Sequence, residues 1–246
     1  REFIILNSNY TIKRKDYLNF QRLINERSKG KPIAYLTGKK FFWKYEFEIN
    51  ENVLIPRPDT EIIIEQVLNI YKSKNKINFL DIGVGSGCIL LSILKERKDF
   101  KATGIDISNY ALNLCDINAY KLGVKSKVRL FKSDIDKFSH GKYDLIISNP
   151  PYIKKLDLKY LDKDVLNFEP KIALNGGLDG ISEIRKIVKK SSELIKKGGK
   201  LIIEIAYNQK KEVKELLKNK GFYINSVIKD LAKNDRCIIS TKIRWI

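Results

Sequence analysis

Apolar and polar residues follow two different periods along the chain, and these periods predict its helices and strands. Between residues 15 and 28 apolar side chains recur at helical spacing, and a Gly-Lys-Pro turn ends the pattern. From residue 39 to residue 55 aromatic and polar side chains alternate, which predicts a half-buried β-hairpin. Asp59 can then cap a helix that begins near Thr60.

Beyond residue 76 short apolar runs alternate with amphipathic runs, which is typical of a parallel sheet covered by helices on both faces. Strands are predicted near residues 77–82, 101–106, 127–131, 143–148, 200–206, 222–229 and 236–241. Helices are predicted near residues 87–97, 109–122, 180–197 and 208–220. Too few residues for a helix separate the last two strands, so the last strand should be antiparallel. We therefore predict an α/β fold with a doubly wound seven-stranded sheet, preceded by a short helix and the hairpin.

The first strand of this sheet leads into a glycine-rich loop, Asp-Ile-Gly-Val-Gly-Ser-Gly at residues 81–87, and a helix follows at once. Glycines permit a tight turn and let a ligand lie against bare backbone. A dinucleotide motif would need its third glycine at Cys88, and a P-loop would need Gly-Lys-Ser or Gly-Lys-Thr at the helix start. The candidate cofactor-binding residues of the loop are Gly83, Val84, Gly85, Ser86 and Gly87.

Two acids follow the next two strands at the same edge of the predicted sheet. Asp106 ends the second strand, where a carboxylate can accept both hydroxyls of a ribose. A glycine loop and a ribose-binding acid without phosphate-binding residues favour S-adenosylmethionine, a nucleoside cofactor that has no phosphate. Asp134 can accept from the adenine amino group while Ile135 packs on the ring. The alternatives are structural: an ordinary turn with an acid at a strand end, and an acid that caps a loop.

The fourth strand ends in the sequence Asn149, Pro150, Pro151, Tyr152. Two successive prolines cannot continue a central strand and hold the backbone extended. The side-chain carbonyl of Asn149 and the main-chain carbonyl of Pro150 can then converge on a planar NH2 group, which Tyr152 would cover. Two such acceptors stabilise the positive charge that grows when a poorly nucleophilic nitrogen attacks. These residues are the candidate catalytic and substrate-binding groups, against the alternative of an ordinary turn.

Composition excludes several classes of protein. With 246 residues and 43% hydrophobic composition, the chain can bury a globular core. The longest uncharged stretch, residues 82–94, is too short to cross a bilayer, so we predict no membrane segment. A single histidine, His140, provides neither a metal site nor a catalytic triad. The cysteines lie in apolar runs without pairing motifs and predict a reduced, cytoplasmic protein: Cys88, Cys115 and Cys237.

The formal net charge of +19 suits either a nucleic-acid partner or a solvated lysine-rich surface. The lysines are scattered through the predicted helices rather than gathered in one run, which favours the second interpretation. Direct contact with nucleic acid stays open without being required. The chain has no methionine and opens on Arg1, so we expect that it was trimmed from a longer one.

Taken together, these residues resemble the HemK/PrmC protein-(glutamine-N5) methyltransferases, from about Lys31 to Thr241. Besides the glycine loop and Asn-Pro-Pro-Tyr, the resemblance rests on Lys-Pro-Ile-Ala-Tyr-Leu-Thr-Gly at 31–38, Leu-Ile-Pro-Arg-Pro-Asp-Thr-Glu at 54–61, Phe-Glu-Pro at 168–170, Ala-Leu-Asn-Gly-Gly-Leu-Asp-Gly at 173–180 and Asp-Leu-Ala-Lys-Asn-Asp-Arg at 230–236. The position of Ile135 is often aromatic in that family.

The resemblance implies a class I S-adenosylmethionine-dependent methyltransferase fold and a specific reaction. A methyl group would pass to the glutamine side-chain nitrogen in the Gly-Gly-Gln motif of class I peptide-chain release factors, which act in translation termination. The cofactor would lie along residues 83–87, Asp106, Ile135 and Asn149, and the glutamine on residues 149–152. The implied domains are a remnant of an N-terminal helical substrate-binding domain at 1–38, a linking hairpin at 39–55 and a catalytic domain at 56–246.

Two other functions stay open on the sequence. Asn-Pro-Pro-Tyr is shared with adenine-N6-type nucleic-acid amino methyltransferases, which would also suit the basic charge. Such an enzyme needs a target-recognition region that extrudes a base, and no extra segment of that size is evident. The other alternative is a catalytically idle cofactor-binding or ribosome-associated module.

Overall fold

A computed structural model describes residues 5–7, 9–73 and 76–243 of the chain. The strands in these ranges are β1 Lys39–Phe42, β2 Tyr45–Glu48, β3 Asn78–Ile82, β4 Lys101–Asp106, β5 Val128–Lys132, β6 Tyr143–Ser148, β7 Ile195–Glu204, β8 Phe222–Lys229 and β9 Asp235–Lys242. The α-helices are α1 Arg14–Ser28, α2 Ile33–Thr37, α3 Glu61–Ile70, α4 Cys88–Glu96, α5 Asn109–Lys121, α6 Lys163–Phe168, α7 Ser182–Leu194 and α8 Lys210–Asn219.

Seven of the described strands form one sheet in the order β5-β4-β3-β6-β7-β9-β8. The strands from β3 to β7 are parallel to one another, and β9 runs antiparallel to both β7 and β8. The antiparallel last strand predicted from the sequence is therefore confirmed. The strand order reverses between β3 and β6, which is where a doubly wound sheet opens a crevice for ligands.

The apolar side chains of the central strands face two cores, one on each side of the sheet. In β3, Phe79 belongs to the core that α3, α4 and α5 cover, and the next residue, Leu80, belongs to the core under α7 and α8. Both are fully buried, and each such side chain contributes about 1.5–3 kcal/mol of transfer free energy. Burial on both faces explains why these strands are apolar at nearly every position.

Three predictions about the ends of elements were wrong. Asp59 does not cap the helix near Thr60, because it lies within the 3-10 helix Pro58–Thr60, and α3 begins at Glu61 without a side-chain cap. The sequence predicts a helix over residues 180–197, but α7 ends at Leu194 and Ile195 already pairs with Tyr143 in the sheet. The register shifts before Lys200 pairs with Leu145, so the first part of β7 is irregular. The predicted hairpin over 39–55 is shorter, because β2 ends at Glu48.

The amino-terminal part of the described chain is less deeply packed than the sheet. Helix α1 has no buried residue, and its Arg27 forms an ion pair with Asp164 at 2.8 Å between N and O. None of the helices in the described ranges combines the length and the apolar character that a bilayer crossing needs.

A buried amide connects the hairpin to the glycine loop. Asn118 lies on α5 and is 1% exposed. Its Nδ2 donates to the carbonyl oxygens of Glu48 and Ser86 at 3.1 and 2.9 Å, and its Oδ1 accepts from the Glu48 N–H at 2.8 Å. One side chain therefore holds the end of β2 against the loop that follows β3.

We predict that Asn118→Ala lowers the free energy of unfolding by about 2–4 kcal/mol, because it leaves buried backbone groups of Glu48 and Ser86 without partners. Urea denaturation measures the loss. The matched control is Asn113→Ala on the exposed face of the same helix, for which a change within about 0.5 kcal/mol is expected. Equal effects of the two substitutions would contradict the role given to Asn118.

Candidate functional site

The carboxyl ends of β3, β4, β5 and β6 open into one cavity of about 440 Å³. The predicted site residues that line it are Gly83, Val84, Gly85, Ser86, Asp106, Asp134, Ile135, Asn149, Pro150 and Pro151. Gly87 and Tyr152 are not among the lining residues. The structure thus brings the predicted cofactor loop and the predicted acceptor residues to one cavity, with two members of the set behind its wall.

The glycine loop presents bare backbone to the cavity. Gly83 and Gly85 have φ angles of +76° and +55°, a region that L side chains rarely adopt. A Cβ atom at either position would meet no atom within 4 Å, so the space beside them is open to a ligand. The N–H groups of Gly83 and Val84 both donate to the Ile105 carbonyl, at 2.9 and 3.0 Å, which ties the loop to β4.

Gly87 is packed closely against side chains of the two helices behind the loop. Its φ is +82°, and a Cβ atom there would lie 2.6 Å from Sγ of Cys115 and 2.8 Å from Cδ1 of Leu91. The missing side chain lets α4 and α5 approach each other directly behind the loop. Cys115 is a free, buried thiol.

Asp106 is oriented by two backbone amides at the end of β4. Its Oδ2 accepts from the Gly85 N–H at 3.0 Å, and its Oδ1 accepts from the Ser108 N–H at 2.9 Å. Each carboxylate oxygen has a further acceptor site, so the pair can still bind two neighbouring hydroxyls. Burial raises the pKa of Asp106, and backbone hydrogen bonds, foremost those from Ser108 and Gly85, oppose that shift.

Asp134 caps a short helix and also lines the cavity. Its Oδ1 accepts from the Asp136 N–H at 3.2 Å and caps the short 3-10 helix Ile135–Lys137, as the structural alternative requires. It also lines the cavity together with the buried side chain of Ile135. The cap therefore fixes an acid and an apolar side chain side by side at the cavity wall.

A chain of hydrogen bonds runs from Asn149 into the core. Nδ2 of Asn149 donates to Oγ1 of Thr60 at 3.2 Å, and this hydroxyl donates to Oε2 of Glu204 at 2.7 Å. The Tyr152 hydroxyl donates to Oε1 of the same carboxylate at 3.2 Å. Tyr152 thus points its hydroxyl at Glu204, and the Tyr152 carbonyl accepts from Nε2 of Gln209 at 3.0 Å.

Glu204 is a buried acid, with 2% of its surface exposed, at the end of β7. Burial raises its pKa to about 7, although the hydrogen bonds from Thr60 and Tyr152 and the charge of Arg236 act in the opposite direction. Burial, followed by the charge of Glu204, also raises the pKa of Tyr152. One feature of the sequence pointed to Glu204: it is a single acid within the apolar run of the fifth predicted strand.

Arg57 lines the cavity, and the sequence assigned it no role. Its guanidinium lies 2.5 Å from Oε1 of Glu169, whose side chain is 1% exposed. Oε2 of Glu169 also accepts from the Ile55 N–H at 3.3 Å. Arg57 and Pro170 both line the cavity, so this ion pair holds two walls together. Both residues lie in segments on which the family resemblance rests, but these segments did not indicate that the two side chains pair with each other.

Asp81 is an acid in an unfavourable environment beneath the glycine loop. It is 1% exposed, and among the described residues neither oxygen has a hydrogen bond of good geometry. Burial, reinforced by the charge of Asp106, raises its pKa to about 8, and the backbone amide of Leu90 offsets this only in part. In the described ranges, no group of three or more acids, histidines and cysteines has the arrangement of a metal site.

Comparison with known proteins gives consistent relatives. Residues 59–166 match the family model "Methyltransferase small domain". The chain is 37% identical to a release factor glutamine methyltransferase of Clostridium acetobutylicum over 98% of this chain and 86% of that protein. It is 39% identical to a protein of the same name from Buchnera aphidicola, again over 98% and 86% of the two chains.

Two solved structures share the architecture. A methyltransferase from Pyrococcus furiosus superposes with a TM-score of 0.62 at 20% identity, covering 92% of this chain and 99% of that one. A ribosomal protein L11 methylase from Lactobacillus delbrueckii superposes with a TM-score of 0.59 at 16% identity, covering 78% and 82%. The predicted class I methyltransferase fold is therefore confirmed.

We predict that Asp81→Asn becomes progressively more stable than the wild type as the pH rises from 5 to 8. The raised pKa means that the folded wild type holds a proton that the unfolded chain has lost, so its stability falls over this range. An asparagine side chain cannot ionise, so the variant lacks this loss of stability. The effect of Glu204 on the pH dependence of stability is the same in both proteins. Urea denaturation at several pH values should show the gap widening by at least about 1.4 kcal/mol, the equivalent of one pKa unit.

The control for this series is Asp136→Asn, which alters an exposed acid near the same sheet edge. Its stability should follow the wild-type pH dependence. If Asp81→Asn follows the wild type as well, the carboxylate is not buried as described.

Proposed function

Because the chain belongs to the family of release factor glutamine methyltransferases, we propose that it transfers a methyl group to the side-chain amide nitrogen of the glutamine in the Gly-Gly-Gln motif of a class I peptide-chain release factor. The observation that carries the proposal is the single cavity at which the glycine loop and Asp106 meet Asn149 and Pro150. A protein with this substrate would work in the cytoplasm.

The cavity residues fit S-adenosylmethionine as the methyl donor. Gly83 and Gly85 offer open backbone, and Asp106 has acceptor sites left for two ribose hydroxyls. Asp134 and Ile135 offer an acceptor and an apolar surface to the adenine. When bound, this cofactor supplies a methyl group on a positively charged sulfur. A nucleoside without phosphates also agrees with a loop that lacks a phosphate-binding lysine.

Asn149 and Pro150, at the side of the cavity proposed for the glutamine, can compensate for the poor nucleophilicity of an amide nitrogen. In the proposed complex, the two N–H bonds of the glutamine donate to the Asn149 side-chain carbonyl and the Pro150 main-chain carbonyl. Both acceptors stabilise the positive charge that develops on nitrogen as its bond to carbon forms, which lowers the barrier. The methylated nitrogen then releases its proton to water, so the reaction needs no side-chain base.

The walls of the cavity support orientation of the two reactants. The Arg57–Glu169 ion pair joins the segment before α3 to the segment after α6. Holding two reactants in the right geometry can supply on the order of 7–11 kcal/mol of barrier reduction. We propose that residues 56–246 act as the catalytic domain, that residues 39–55 link it to the preceding chain, and that residues 1–38 belong to a substrate-binding part.

We predict that the purified chain, given labelled S-adenosylmethionine and a class I release factor, labels the Gly-Gly-Gln peptide. Asn149→Ala should lower kcat by about 100-fold or more, the usual cost of removing one charge-stabilising group. Peptide mapping by mass spectrometry locates the methyl group, and a release factor whose motif glutamine is replaced by alanine is the control. Label that appears on DNA or RNA, and never on the motif peptide, would favour the nucleic-acid alternative.

We predict that Asp106→Ala raises the dissociation constant for S-adenosylmethionine by about 10–100-fold, because hydrogen bonds to a charged group contribute about 1.5–3 kcal/mol each. Isothermal titration calorimetry measures this in the absence of any protein substrate. The matched control is Asp116→Ala on α5, whose carboxylate pairs with Lys125 away from the cavity. An unchanged dissociation constant for Asp106→Ala would remove Asp106 from the cofactor site.

A further inference from the structure

Glu204 is not among the residues that line the cavity, yet its carboxylate lies two hydrogen bonds from Asn149. It follows the apolar residues of β7 and is almost completely inaccessible to solvent. A buried acid costs free energy unless its environment compensates for the lost hydration. Its two donors, Thr60 and Tyr152, come from the two segments that flank the cavity.

The chemistry assigned to Asn149 requires one orientation of its carboxamide. A half-turn about the last side-chain torsion exchanges Oδ1 and Nδ2, and only the orientation with Oδ1 toward the substrate offers an acceptor to an N–H group. The reversed orientation would present a donor to the substrate nitrogen and would oppose the growing positive charge. Some contact other than the one with the substrate must therefore distinguish the two ends of the carboxamide.

A hydroxyl alone cannot make this distinction, because it both donates and accepts hydrogen bonds. The group that sets the direction of the Thr60 hydroxyl hydrogen is the Glu204 carboxylate, the other hydrogen-bond partner of this hydroxyl. An ionised carboxylate only accepts, so the Thr60 hydrogen is committed to Oε2 of Glu204 at 2.7 Å. Only lone pairs of Oγ1 then remain for Asn149, and these accept from Nδ2 at 3.2 Å.

We propose that Glu204 and Thr60 are positioning residues for the proposed glutamine methylation, in which the carboxylate sets the direction of the Thr60 hydrogen bond and thereby turns Oδ1 of Asn149 toward the substrate. The inference rests on the proposed function for its chemistry. The same carboxylate holds the Tyr152 hydroxyl at 3.2 Å, so one buried acid orients both ends of the Asn-Pro-Pro-Tyr segment.

The ionised form of Glu204 has charged support from β9. Arg236 pairs with Asp230 at 2.8 Å and with Asp59 at 3.3 Å, and its positive charge lowers the pKa of Glu204. Among the residues that the structure describes, the titratable and charged groups that act on Glu204 or respond to its charge include Asp59, Cys88, Tyr152, Arg236 and Cys237.

This arrangement makes turnover dependent on the protonation of Glu204. A protonated carboxyl can donate to Thr60, which frees the hydroxyl hydrogen to point at Asn149 and removes the preference for Nδ2. Turnover of the wild type should therefore rise with pH as Glu204 ionises. In Glu204→Gln, whose amide both donates and accepts, this dependence should disappear and kcat should be about 10-fold lower at neutral pH.

The test compares Thr60→Val, which removes the hydroxyl at nearly constant volume, with Thr60→Ser, which retains it. Thr60→Val should lower kcat for the release factor by about 10–100-fold with a smaller change in KM, and Thr60→Ser should recover most of that loss. In an Asn149→Ala background, Thr60→Val should cost less than about 2-fold, because the carboxamide that it orients is gone. Additive losses in the double variant would overturn the proposal.

The matched control is Thr103→Val. Thr103 is also a buried threonine, but it lies on β4 and is not among the residues that line the cavity. It should leave kcat and its pH dependence unchanged. Circular dichroism and thermal unfolding of every variant show whether a loss of turnover reflects a loss of folding. A Thr60→Val protein that is folded and fully active would overturn the proposal.

A measurement without turnover separates this inference from the proposed function. The side-chain amide resonance of Asn149, identified by its loss in Asn149→Ala, should shift in Thr60→Val and in Glu204→Gln but not in Thr103→Val. Shifts as expected together with no methylation of any release factor would contradict the proposed function alone. An unmoved resonance in the two positioning variants would overturn the positioning role, whatever the activity.

Discussion

Parallel pairing of β3 with its two neighbours is the constraint on which the site depends. Ile82 at the end of β3 stands opposite Ile105 on one side and Ser148 on the other. The glycine loop, Asp106 and Asn149 come directly after these three positions, so they lie at one level at this edge of the sheet. The cavity lies at the point where β4 is placed on one side of β3 and β6 on the other, so that the connections that follow these strands leave a crevice between them. Chemistry at this edge needs no long loop to bring distant residues together.

Buried polar side chains hold the loops in place by hydrogen bonds, whereas apolar packing holds the sheet and its helices together. Asn118 satisfies backbone groups of two segments, and Glu169 joins a guanidinium to a backbone amide. Gln209 donates to the carbonyls of Tyr152 and Gly180 and holds the segments after β6 and before α7 together. Each of these groups would be costly to bury alone, so each loop has essentially one arrangement in which its partners are satisfied.

The parts of the molecule that the sequence predicts are those governed by local patterns. Short apolar runs identify the parallel strands, and glycine spacing together with paired prolines identifies the two loops that meet at the cavity. The start of β7 was not predictable, because the apolar spacing of α7 continues smoothly into Ile195 while the pairing with Tyr143 is a long-range contact. The hydrogen bonds behind Asn149 were missed for the same reason: Asn149 is 89 positions from Thr60 in the chain, and Thr60 is 144 positions from Glu204.

The place of β9 between β7 and β8 has a consequence for how the protein is made. This strand comes last among those described, yet it pairs with two strands that are synthesised before it. Until it emerges, β7 and β8 expose unpaired edges, which are sites for wrong association. Cys237 on β9 lies opposite Glu204, and the preceding residue is Arg236. Synthesis must therefore reach β9 before the carboxylate behind Asn149 can be covered by Cys237 and balanced by Arg236, so this side of the cavity is completed only when β9 pairs.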